Sequence, residues 1–107
     1  MLRPLFLALL LAAPAAAGPT EYLTSPQSVA LNRPFSDATE VGGVLYISGQ
    51  IGAVPGQDKV VPGGLEAETR QVMANIGSIL ARRGLTHAAL FKCTVMLADM
   101  TQWDAFN

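Results

Sequence analysis

One cysteine, Cys93, stands among 107 residues, so no intrachain disulfide framework can be built. The single histidine, His87, together with that cysteine falls short of the three or four ligands a common zinc site takes. The expected metal is therefore none. Charge is sparse at 14%, with seven basic residues against eight acidic ones. A chain without a basic excess lacks the electrostatic footprint of a nucleic-acid binder, and no nucleic-acid partner is expected. Nor is there an apolar run of the roughly 20 residues that a membrane-spanning helix needs.

What is present begins at the N-terminus. Met1-Leu2-Arg3-Pro4 is a short cationic start, Leu5 to Leu11 is an unbroken apolar run, and small residues follow through Ala15-Ala16-Ala17. A positive start, a short apolar core and a small-residue cleavage site make a secretory signal, so residues 1–17 are expected to direct export to the periplasm or outside the cell. A buried N-terminal helix and an uncleaved anchor are the alternatives; no polar face interrupts the run. After cleavage six basic and eight acidic residues remain, a formal charge of −2, and no membrane attachment is expected.

Residues 18–33 carry Pro19, Pro26 and small polar residues and are expected to form an extended lead-in. From 35 to 41 residues alternate, as in an edge-like strand. Gly42-Gly43 suits a tight hairpin, since both positions of such a loop take positive φ. Val44 to Ser48 is apolar enough for a strand buried on both faces. Gly49 interrupts it, which implies a bulge or a close backbone approach. Pro55-Gly56 marks a turn, and Lys59–Val61 is a candidate short strand. The clearest element comes next: Leu65, Thr69, Val72, Met73, Ile76, Ile79 and Leu80 recur at helical spacing. Glu66 and Glu68 at its start and Arg82 and Arg83 at its end suit the helix dipole, and Gly84 suits its termination. Residues 91–98 alternate as a strand. Asp99 or Thr101 is placed to cap a second helix carrying Trp103 and Phe106. The order β-β-(β)-α-β-α leaves a sheet unfinished, and the domain is expected to stop before its last strands.

Several blocks in order resemble the Rid family, the YjgF-like reactive-intermediate deaminases. They are Pro34-Phe35-Ser36-Asp37-Ala38, Val41-Gly42, and Leu45-Tyr46-Ile47-Ser48-Gly49-Gln50-Ile51-Gly52. Further blocks are Val61-Pro62-Gly63-Gly64, Glu66 to Gln71, Asn75-Ile76, Lys92 to Met100 and Asn107. The resemblance covers 34–107, which is taken as the Rid-like domain, and the Lys92–Met100 block beside an export signal resembles an exported branch. It implies an α+β, chorismate-mutase-like fold, a mostly antiparallel sheet with two helices on one face. It also implies a homotrimer with clefts between subunits, no cofactor, and hydrolysis of enamines and imines such as 2-aminoacrylate to 2-oxo acids and ammonia. An exported, non-catalytic module binding a small ligand or a protein in the same clefts is the second reading.

By the same resemblance, Ser48 and Gly49 line the cleft; the alternative is a strand bulge without a ligand. Phe35 replaces a common tyrosine, keeping a wall and losing a hydroxyl; the alternative is a core aromatic. Asn107 matches an asparagine at the subunit cleft. The family's arginine that pairs with the substrate carboxylate and its water-activating acid have no positional counterpart in residues 1–107. Cys93 is expected to be a small buried hydrophobe rather than a reactive thiol, His87 a surface residue, and Glu66, Glu68 and Arg70 a solvated helix face.

Overall fold

The computed structural model describes residues 18–107, and the expected export signal at 1–17 lies outside the described residues. Three short strands form an antiparallel sheet in the order β1-β2-β3: β1 is Glu21–Leu23, β2 Ala38–Val41 and β3 Val44–Ile47. The β2–β3 hairpin turns on Gly42 and Gly43, at φ 59° and 79°. Both angles lie in the region open to glycine, and such a turn matches the natural twist of the two strands. The turn sets Ala38 opposite Ile47 and Val41 opposite Val44.

The segment 18–33 is not a plain lead-in. Glu21, Tyr22 and Leu23 pair with Glu40, Thr39 and Ala38, adding a third strand to the sheet. Helix α1, Pro26–Ala30, follows. Ser25 caps it by accepting the Ser28 N–H at 3.2 Å, and Pro26 sits where its missing N–H costs nothing. Neither element buries an apolar stripe long enough to show as a period.

Helix α2, Gly64–Ala81, lies across one face of the sheet. Ile79 packs with Leu23 and Ala38, and Leu45 and Ile47 pack against them. The inward face of the sheet is thus the one carrying Ala38; Tyr22, Thr39, Val41, Val44 and Tyr46 take the other. Tyr46 is 60% exposed, so β3 is buried on one face and not on two. Arg82 and Arg83 fall just beyond the last turn. Arg83 spans two strands, reaching Glu21 at 2.6 Å and Glu40 at 2.7 Å. Gly84, at φ 68°, closes the helix with the Leu85 N–H bonded to the Leu80 carbonyl at 3.1 Å.

Among the described residues Gly52, Gly63 and Gly77 mark close approaches, and Gly49, where a methyl group would meet open space, does not. A methyl on Gly52 would fall 2.6 Å from the Glu68 Cα, so the 50–53 segment lies directly on the backbone of α2. Gly77 lies beneath the His87 ring, whose Nε2 donates to the Met73 carbonyl at 2.8 Å. The Lys59–Val61 strand is reduced to one bridge, Ala53 to Val60.

Residues 91–98 do not form the expected strand. A strand needs a ladder partner for its backbone groups, and none of the described strands pairs with this segment. Phe91 is 81% and Met96 90% exposed. Cys93 is likewise exposed and not buried. Beyond it Asp99 caps a short 3-10 turn by accepting the Thr101 N–H. Helix α3, Trp103–Phe106, packs against α2, with the Trp103 and Phe106 rings 5.9 Å apart. The antiparallel sheet with α2 on one face is the α+β arrangement of the chorismate-mutase-like fold.

Candidate functional site

A cavity of about 410 Å³ opens between α1, the 49–57 segment and the C-terminal half of α2. The sequence places its walls by three devices. The Ser25 cap and Pro26 start α1 at the cavity's edge. Asn75, buried on α2, donates to the Ile51 and Ala53 carbonyls at 3.2 and 2.9 Å and accepts from Gln71 at 2.8 Å. Gly52 lets that segment settle onto the helix. The apolar lining comes from Leu31, Phe35, Ile51, Val54 and Ile79.

Among the described residues Asp37 is the one carboxylate of the lining, and its side chain is only 13% exposed. One oxygen accepts the Ser25 N–H at 2.5 Å and an Arg82 N–H at 3.1 Å; the other accepts the Ser28 hydroxyl. Burial pushes the Asp37 pKa up. The hydrogen bonds from Ser28 and Ser25 and the Arg82 charge together outweigh burial, and the carboxyl is held below its ordinary value. A carboxylate so saturated and so acidic makes a poor proton acceptor, so Asp37 serves as a clamp joining α1, β2 and α2. Arg82 completes the clamp by donating to the Thr24 carbonyl at 3.2 Å.

Of the residues expected at the cleft, Phe35 and Gly49 share this cavity. Phe35 is 50% exposed, with the Arg33 guanidinium 5.8 Å from its ring centre. Ser48 lies next to Gly49 but turns elsewhere: its hydroxyl donates to the Ser36 carbonyl at 2.6 Å. Asn107 ends α3, exposed, and does not reach the cavity. Among the described residues no three His, Cys, Asp or Glu side chains gather as a metal-ligand set.

Sequence reasoning missed Asp37, which alternation placed on a strand face, and assigned Arg82 only a dipole role. The Ser25-Pro26-x-Ser28 pattern was the available signal for a capped turn close to a carboxylate. Arg33 carried no pattern at all.

The sequence of residues 25–107 matches the family model described as endoribonuclease L-PSP. The chain is 42% identical over 74 residues to the 2-iminobutanoate/2-iminopropanoate deaminase of Capra hircus, covering 69% of this chain and 54% of that protein. It is 31% identical over 87 residues to the chloroplastic Reactive Intermediate Deaminase A of Arabidopsis thaliana, covering 81% of this chain and 46% of that one. A RutC family protein of Sulfurisphaera tokodaii is 38% identical over 74 residues, 69% of this chain and 59% of its own. The chain spans about half the length of the curated relatives it matches. With residues 25–107 of the chain matched by the family model and the motif blocks in order, this chain belongs to the endoribonuclease L-PSP family, the Rid or YjgF-like proteins.

Proposed function

We propose that the protein carrying this sequence hydrolyses small 2-imino and 2-enamino acids to 2-oxo acids and ammonia, as an exported homotrimer. The 42% identity to a protein named a 2-iminobutanoate/2-iminopropanoate deaminase carries this reading. The placing of Phe35 and Gly49 on one cavity supports it. In the reaction water adds to the imine carbon, the carbon–nitrogen bond breaks, ammonia leaves, and the carbon keeps the water's oxygen as a carbonyl. Phe35 supplies an apolar wall that keeps bulk water off the planar substrate, and Gly49 leaves room for it beside the strand. Such a reaction needs a cation for the substrate carboxylate and a proton acceptor near the attacking water. Asp37 does not fill the second role, because its clamp holds it ionised and fully bonded.

The test generates 2-aminoacrylate in place from serine with a dehydratase and follows pyruvate and ammonia with and without the full-length protein. Faster release of both is expected, and a rate equal to that in buffer overturns the deaminase reading. Export has its own readout: the periplasmic or secreted form should begin at Gly18. A product that keeps Met1 overturns export by a cleaved signal.

A further inference from the structure

We infer that Arg33 tunes this cavity toward ligands bearing a second, side-chain carboxylate, the cation for the first being the one the proposed reaction still requires; the inference rests on the reading that the cavity receives a 2-imino or 2-oxo acid. Among the described residues the charged groups of the lining are Arg33, Arg82 and Asp37. Arg82 and Asp37 neutralise each other at 3.1 Å. Arg33 is the charge that no other residue of the lining offsets. Its ion-pair partner, Asp58, stands outside the cavity, 3.5 Å away and 83% exposed. Exposed pairs of that kind hold their members weakly, so a ligand can take the guanidinium from Asp58 at little cost.

The position of Arg33 is built. Asn32 adopts φ 48° at the end of α1, with its N–H bonded to the Val29 carbonyl at 2.9 Å. That turn sends the Arg33 stem across Phe35, and the ring face attracts the cation 5.8 Å above its centre. The side chain is 31% exposed, open to a ligand without being free in solvent. Gln50, Gln57 and Ser78 add neutral polar groups nearby, and no second carboxylate of the lining competes. A guanidinium receives a carboxylate through two parallel N–H···O bonds. The volume of about 410 Å³ leaves room for a five-carbon diacid.

The experiment compares 2-oxoglutarate with 2-oxopentanoate, equal in chain length and differing by a terminal carboxylate in place of a methyl group. Calorimetric titration of the full-length protein should show the diacid binding about tenfold tighter, the range of one charge-assisted contact. The preference should vanish in Arg33→Gln and survive in part in Arg33→Lys, with circular dichroism confirming that both variants fold. Equal affinities in the wild type, binding of neither compound, or a diacid preference that persists in Arg33→Gln overturns the assignment. The imines of glutamate and norvaline, made in place by amino-acid oxidases, separate the two readings. If neither of these imines nor 2-aminoacrylate is hydrolysed faster than in buffer while the Arg33-dependent preference holds, the deaminase reading fails and the Arg33 assignment stands.

Discussion

Asp37 ties together parts of the chain that no strand or helix joins: the start of α1, the β2 edge and the end of α2. Removing its charge leaves the Ser28 hydroxyl with a weaker acceptor and Arg82 without its counter-charge. Asp37→Asn should therefore destabilise the fold by about 1–3 kcal/mol, read as a lower denaturant midpoint. The pH dependence has a definite sign. The Asp37 pKa is lower in the folded chain than its ordinary value of 3.8. Its contribution is thus fully present above that ordinary value and is lost as pH falls through the folded-state value. The gap in midpoint between wild type and Asp37→Asn should be widest near neutral pH and close in acid. A gap that stays constant down to strongly acid pH would show that the clamp works by shape alone.

Gly77 sits inside α2, where alanine would ordinarily favour the helix by about 1 kcal/mol. Here an added methyl would come within 2.8 Å of the His87 ring, which is seated over that glycine and bonded to the Met73 carbonyl. Gly77→Ala should be neutral or destabilising in the wild-type background. In a His87→Ala background it should stabilise by about 1 kcal/mol, the difference being the coupling of the 3-10 turn to the helix. Equal effects in the two backgrounds would deny that coupling. This contact also shows where sequence reading stops. α2 and the Gly42-Gly43 hairpin were legible because each rests on local chemistry: a helical period and two positive φ angles. β1 and α1 were not, because three and five residues with Leu23 as their one deep anchor carry no period. Residues 91–98 alternate as strands do, but alternation reports side-chain faces and not the presence of a neighbour to bond. Phe35 and Gly49, expected at the cleft from the family resemblance, line one cavity. Arg33, Asp37 and Gly52 matter through contacts between segments distant in sequence, which no local pattern records.

For the molecule as a whole, the sheet has one covered face and one open one. α2 covers Leu23, Ala38, Leu45 and Ile47. The open face carries Tyr22 and Tyr46, 70% and 60% exposed and both in register with Thr39, together with Val41. Two tyrosines in one cross-strand row beside apolar residues form the kind of patch that marks a protein interface. A homotrimer built on that face would let each subunit cover what its own helix leaves bare. Stable interfaces bury about 800 Å² per partner, more than two tyrosines supply, so neighbouring exposed residues of the sheet must join them. A single charge placed in the middle of the row would then have to be desolvated in every interface at once. In the proposed homotrimer, Tyr46→Lys should shift the mass measured by light scattering from trimer to monomer, while circular dichroism keeps the helix signal of α2, since Tyr46 points away from it. A Tyr46→Lys protein that remains trimeric would place the subunit contacts elsewhere. One that loses its helix signal along with its mass would show that the sheet and helix need the assembly in order to fold.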